Sequence, residues 1–399
     1  MVENTGPLSG IRVVEMGQLI AGPFSAKTLG DLGAEVIKIE PPQGGDPLRQ
    51  WRMLHEGTSV WWEVQSRNKQ SVAIDLRQPQ GQELARALIK EADILIENFR
   101  PGTLESWGMA YDILAASNPG LIMLRISGYG QTGPYRDLPG FGAIGEAMGG
   151  LRHLTGQPGE VPVRVGLSIG DTLAALHGSI GVLAALLARN KNGGVGQVID
   201  MALYEAVFNC TESLLPEYSA FGAVRGPAGS ALPGITPSNA YPCQDGYVLI
   251  AGNGDSIYQR LMAAIGRDDL AQDPSLKNNT GRSLQAERID QAICDWTKGR
   301  PIATVLALLA EASVPAGKIY TIQDISEDPH YRAREMIQSI TTAQGLRLDI
   351  PGVIPKLSKT PGVIRQRAPT LGEHTQKVLE EMGLSIEDIN QLRSQGIIQ

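Results

Sequence analysis

The chain has 399 residues, 42% of them hydrophobic, with 47 glycines, 25 prolines and a formal net charge of −7. That length suggests two domains or a discontinuous arrangement. The acidic balance argues against general nucleic-acid binding but leaves small anionic ligands open to a local cationic pocket. Cys210, Cys243 and Cys294 make neither a CxxC pair nor an even-numbered framework, so a reducing, cytoplasmic compartment fits. The polar N-terminus lacks a signal-peptide pattern, and the apolar run 180–188 is too short to span a membrane.

Residues 11–16 predict a buried strand. The loop Gly17 to Pro23 follows, then a helix over 24–32 and a second strand over 34–40. This β-α-β unit predicts a parallel pair with a right-handed crossover, although GxGxxG is absent. Strands are predicted at 71–76, 94–96 and 121–127, and helices at 81–91 and near 103–107. The alternation defines an α/β chain with a mainly parallel sheet. Its Gly-rich segments 17–23, 98–102 and 128–134 stand at strand carboxyl ends, where such sheets bind ligands.

Residues 165–178 carry the functional reading. A short extended run ends in Gly170-Asp171-Thr172, and an apolar helix continues to about residue 189. Asp171 at that junction is either a helix N-cap, its anion stabilised by the helix dipole, or a nucleophile for an activated carbonyl. A thioester with a stabilised leaving thiolate, shielded from water, makes such attack practical. Gly166-Leu167-Ser168-Ile169-Gly170 matches GxSxG formally, but Ser168 precedes the helix instead of sitting on the turn. His55, His153, His177, His330 and His374 do not pair at ligand spacing, so no metal is expected.

Downstream, a strand at 197–201 leads into a long helix to about 218, then a Gly/Ala/Pro-rich linker at 221–237. A second unit begins with a strand, Gly246–Ala251, and a tight loop, Gly252-Asn253-Gly254-Asp255. Helices at 256–265, 288–297 and 302–312, a short strand at 316–320 and a helix near 375–382 complete the reading.

The chain resembles a family III CoA-transferase, the group that includes formyl-CoA transferase, carnitine CoA-transferase and alpha-methylacyl-CoA racemase. The matching pieces are Leu8 to Glu15, Ala21-Gly22-Pro23, Leu32 to Glu40, Gly45-Asp46-Pro47, Asn68 to Ser71, Glu97 to Gly102, Gly128 to Tyr135, Gly170-Asp171 and Ala368 to Thr375. The resemblance implies a Rossmann-like large domain over 1–220 completed by 335–399, a linker at 221–237, a small α/β domain over 238–325 and a return segment from 326. It also implies an interlocked, ring-like homodimer with no nucleic-acid or membrane partner.

The same resemblance implies that Asp171 is the nucleophile, forming first an aspartyl–acyl anhydride and then an aspartyl-CoA thioester. Coenzyme A enters as substrate, with no tightly bound cofactor. The CoA contacts it carries over are Ala21, Ile74, Asp75, Leu76, Arg77, Asn98, Phe99, Arg100, Pro139, Gly140 and Phe141, with Gln18, Gly252, Asn253 and Gly254 at the substrate or in a lid. Arg77 and Arg100 are the candidates for the phosphate charge.

Formyl-CoA transferase has arginines where this chain has Pro41 and Ser106, so Arg100 or Arg49 is expected to substitute. The racemases use a His soon after the Gly-Tyr-Gly turn. No His lies between Gly128 and Gly150 here, where Phe141 stands instead, and His153 is the nearest. Transfer between a thioester and a free acid, with dicarboxylates and succinyl-CoA suggested by the family, is therefore favoured over racemisation. It is also favoured over a non-catalytic CoA-binding role.

Overall fold

The computed structural model describes residues 5–399. The chain divides into two compact units. Of the described residues, one comprises 5–152, 164–224 and 332–399; the other comprises 153–163 and 225–331.

The first unit is built on six parallel strands: β1 (Arg12–Glu15), β2 (Glu35–Glu40), β3 (Lys69–Ala73), β4 (Ile94–Glu97), β5 (Ile122–Ser127) and β6 (Val198–Ala202). Their spatial order is β3-β2-β1-β4-β5-β6, the doubly wound order that reverses between β1 and β4. Strands β1 to β5 are largely buried on both faces, the edge strand β6 is half exposed, and successive residues feed opposite layers. Val13, Val36, Ile94 and Leu124 pack against α1 (Ala21–Asp31) and α4 (Ile169–Lys191). Val14, Ile37, Leu95 and Met123 pack on the other side against Leu88 and Ile89 of α2 (Pro79–Lys90).

The C-terminal segment closes that second layer. Val378 and Leu379 of α9 (Thr375–Glu381) and Ile389 of α10 (Ile386–Ser394) join the same core. The last residues bond to the sheet edge, where Asp75 N–H donates to the Ile397 carbonyl at 2.8 Å. Truncating a fully buried residue such as Leu379 to Ala removes about 2–5 kcal/mol in such a core.

The second unit has an antiparallel sheet of β7 (Ser238–Cys243), β8 (Gly246–Ala251) and β9 (Ala316–Lys318), with β8 central. Its core joins Tyr241, Val248 and Ile250 to residues of α6 (Asp255–Ala264), α7 (Ala286–Thr297) and α8 (Ile302–Glu311).

Three expectations change. The stretch before α4 is irregular instead of extended. The long helix predicted to reach residue 218 is broken. Its first part, α5 (Leu203–Phe208), stops where the Thr211 hydroxyl bonds the Phe208 carbonyl at 2.7 Å and Glu212 turns to φ 51°; a new helix, Leu214–Phe221, follows. A helix not foreseen, α3 (Gly142–Met148), lies between β5 and α4. Its two glycines are poor helix formers, so packing must supply its stability.

Candidate active site

The loop after β1 and the loop after β4 meet where the strand order reverses. Gln18 N–H donates to Asn98 Oδ1, and Asn98 Nδ2 donates back to the Gln18 carbonyl, both at 2.8 Å. A Cβ on Gly17 would lie 3.2 Å from Asn98 Oδ1 and 3.2 Å from the Gly22 Cα, so only glycine permits this approach without a shift. Leu19 takes φ 64°, an unfavourable region for a branched side chain. Its N–H is held by both Asp46 carboxylate oxygens, at 3.0 and 3.2 Å. The strain sits on a residue that lines the cleft described below.

Buried charges fix this loop from beneath. Lys38 Nζ reaches Glu15 at 2.7 Å, Asp46 at 2.9 Å and the Gly17 carbonyl at 2.7 Å, and Lys69 reaches the other Glu15 oxygen at 2.7 Å. Burial opposes charge on Lys38, but Asp46, Glu15 and Glu40 outweigh it and raise its pKa. Burial likewise opposes ionisation of Asp46, which Lys38 and backbone donors reverse, so its pKa is lowered.

Two clefts run along the carboxyl edge of the sheet. The first, about 240 Å³, is lined by Gln18, Leu19, Ala21, Asn98, Phe99, Arg100, Gly140, Phe141 and Asp171, together with Arg136. The second, about 310 Å³, is lined by Ile74, Asp75, Leu76, Arg77 and Trp107. Gln18 and Phe99 line both. Phe99 stands edge-on to Trp107, ring centroids 5.3 Å apart. The N-terminus of α1, without a side-chain cap, opens on the first cleft and presents the end of a helix dipole to an anion. The predicted residues of the first unit thus collect at one edge. Pro139 lies in the same loop, outside the lining. In the second unit, Gly252-Asn253-Gly254 forms a turn pinned by buried Arg282, which donates to the Asn253 carbonyl at 2.7 Å.

The arginines differ in availability. Arg77 forks onto Asp75 at 2.8 and 2.9 Å. Arg49 is buried, forks onto Glu40 at 2.8 Å through both nitrogens and stacks 3.7 Å over Trp62, so it does not replace the missing phosphate-binding arginines. Arg100 is exposed on the first cleft. Arg136, which sequence reasoning missed, joins it there; a basic residue directly after the Gly128–Tyr135 turn was the available signal.

Asp171 is in the first turn of α4 but is not its cap; Ser168 holds that position and makes no side-chain cap bond. Ser168 follows irregular chain, so the strand–turn–helix elbow of a serine hydrolase is absent there. Burial raises the Asp171 pKa to about 6, with Glu146 adding to the rise and Arg164 opposing it. The carboxyl group is therefore predominantly ionised at neutral pH yet poorly solvated. Gly142 gives it room: a Cβ there would lie 1.9 Å from Asp171 Oδ2. Neither Gly142 nor Glu146 carried a sequence signal, because helix α3 brings both to Asp171 only through packing.

Comparisons with known proteins agree with this geometry. The model of CoA-transferase family III matches residues 8–375. The chain is 45% identical over 395 residues to a succinyl-CoA–D-citramalate CoA-transferase from Chloroflexus aurantiacus, covering 98% of each. It is 34% identical to a succinate–glutarate CoA-transferase from Agrobacterium fabrum, over 96% of this chain and 97% of that one. A CaiB/BaiF family protein from Brucella suis superposes with a TM-score of 0.83 at 35% identity, covering 95% of this chain and 100% of that one. The chain belongs to CoA-transferase family III. It is an enzyme that moves CoA from an acyl-CoA thioester to a free carboxylic acid.

Proposed function

We propose that Asp171 carries this transfer covalently, with succinyl-CoA as donor and a small dicarboxylic acid as acceptor. The observation that carries the reading is the Asp171 carboxylate itself, half-buried in the cleft beside the uncapped start of α1. Asp171 Oδ attacks the thioester carbon, the C–S bond breaks, and CoA leaves as thiolate, giving a mixed anhydride. The thiolate then attacks the aspartyl carbonyl and expels the donor acid as carboxylate, leaving an aspartyl-CoA thioester. The acceptor carboxylate reverses both steps. No water is consumed, so the energy of the thioester is conserved.

The second cleft, walled by Ile74, Leu76, Phe99 and Trp107, suits the adenine end of CoA, and Arg100 and Arg136 supply charge for its phosphates. No tightly bound cofactor takes part in this scheme, and the cytoplasm is its setting. The relatives are named for succinyl-CoA with citramalate, malate or mesaconate and for succinate with glutarate, which supports the dicarboxylate reading. The outer face of α4 leaves Leu176, Ile180 and Leu187 exposed at helical spacing, which supports burial against a second copy in a homodimer.

The test is incubation with succinyl-CoA followed by hydroxylamine and peptide mass spectrometry. A hydroxamate on Asp171, absent from D171N, is expected. Turnover by D171A, or an adduct elsewhere, overturns the mechanism. A panel of acids and light scattering test the acceptor class and the dimer.

A further inference from the structure

One group of charges beside Asp171 has no role in the scheme above. Glu146 of α3 is buried, its side chain 1% exposed, against the start of α4. A Cβ on Gly170 would lie 3.2 Å from the Glu146 Cγ. Two arginines face its carboxylate loosely, Arg164 Nη2 at 3.7 Å and Arg152 Nη2 at 3.8 Å, beyond good hydrogen-bond length. Glu146 Oε1 and Arg152 Nε are both buried without a hydrogen-bond partner. Arg164 is the cation whose field reaches Asp171, and its side chain is 44% exposed. A buried carboxylate this poorly matched is costly unless something completes the cluster.

The charge balance says what completes them. Glu146 and Asp171 supply two negative charges against the two positive charges of Arg152 and Arg164. When Asp171 is acylated its charge disappears, and the cluster is left with one surplus positive charge. A four-carbon dicarboxylic acyl group on Asp171 carries its second carboxylate only a few ångströms from the acyl carbon, and Glu146, packed on the neighbouring Gly170, holds the Arg164 guanidinium 3.7 Å from its own carboxylate. A planar guanidinium is well suited to grip it through two parallel hydrogen bonds.

We propose that Arg164, positioned by Glu146, receives the second carboxylate of the dicarboxylic acyl group and so selects dicarboxylic over monocarboxylic acids. The inference rests on the dicarboxylate reading of the substrates and names the residue that enforces it. Glu146 acts as a positioning residue: it keeps Arg164 near Asp171 without satisfying it.

The experiment compares succinyl-CoA with butyryl-CoA, in which a methyl group replaces the distal carboxylate, as donors to the full-length enzyme. In a two-stage exchange kcat/KM for the donor is independent of the acceptor, so the ratio of the two values reads the distal contact alone. The wild type is expected to favour succinyl-CoA. R164Q is expected to cut that ratio by about 10–100-fold, the loss of one charge-assisted contact. Read at about pH 8, where loss of the Arg164 charge does not protonate Asp171, its kcat/KM for butyryl-CoA should fall far less than its value for succinyl-CoA. R164K, which keeps the charge without the fork, should retain part of the ratio and guards against a folding defect in R164Q.

A wild-type preference that survives intact in R164Q overturns this inference and leaves the dicarboxylate reading standing. An equal fall for both donors in R164Q and R164K also overturns it, since the residue is then structural. A wild type with no preference overturns the dicarboxylate reading and this inference with it.

Discussion

Asn98 and Gln18 exchange two hydrogen bonds of 2.8 Å across the point where the strand order reverses. The pair ties the loop after β1 to the loop after β4, and both loops line the cleft that holds Asp171. Replacing Asn98 by Ala removes both bonds and strands a backbone donor and an acceptor. We expect a stability loss of about 1–3 kcal/mol and a KM for acyl-CoA raised roughly tenfold, checked by urea unfolding and initial rates.

Gly142 is held to glycine by Asp171. A methyl group there would occupy the space of Oδ2. G142A should displace the carboxylate and lower kcat by about 100-fold or more while CoA still binds. Rapid-quench trapping of the acyl-enzyme, with calorimetric CoA binding as control, checks it.

The pH dependence follows from the raised Asp171 pKa, about 6. The proposed mechanism needs the carboxylate, so kcat/KM should fall below about pH 6 with the slope of one proton. Stability runs the opposite way. The folded pKa lies above the ordinary value of 3.8, so the folded state binds the extra proton and its stability falls as pH rises between about 4 and 6. D171N should therefore be more stable than wild type at pH 7. E146Q removes the like charge and should move the acid limb to lower pH.

Arg100 and Arg77 should separate in a titration with CoA. R100Q should raise Kd about tenfold, because this guanidinium is exposed on the cleft with Asp171. R77Q should change it less, because Arg77 already holds Asp75 with two bonds.

K38M leaves Glu15 and Asp46 buried without that cation. Breaking such a cluster from one side costs about 3–5 kcal/mol. The loss should appear as a lowered urea midpoint with an unchanged slope.

The parallel sheet was legible because its strands are short apolar runs bounded by glycine and charge. Residues 11–16, 34–40 and 121–127 contain β1, β2 and β5 almost to the residue. Asp171 is legible through the family pattern; its local pattern equally fits a cap, a place that Ser168 holds in the fold. Arg49 illustrates the opposite case. Its residue type suited a phosphate, but pairing with Glu40 and stacking on Trp62 are long-range facts that no local pattern contains. Helix α3 was invisible for the same reason. Its glycines oppose helix formation, and only long-range packing explains them, Gly142 against Asp171 and Gly145 against Leu203 of α5.

The two clefts share only Gln18 and Phe99; from there the first runs past Asn98 and Arg100 to Phe141 and Asp171, and the second past Ile74 and Arg77 to Trp107. On the proposed function, the handle of the carrier and the cargo it bears are met largely by different residues. On that reading a lineage can retune the cargo by editing the segment from Phe141 to Arg164 while the grip around Ile74 and Trp107 stays as it is. One scaffold can in this way serve a succession of acids, each inheriting a carrier site already made.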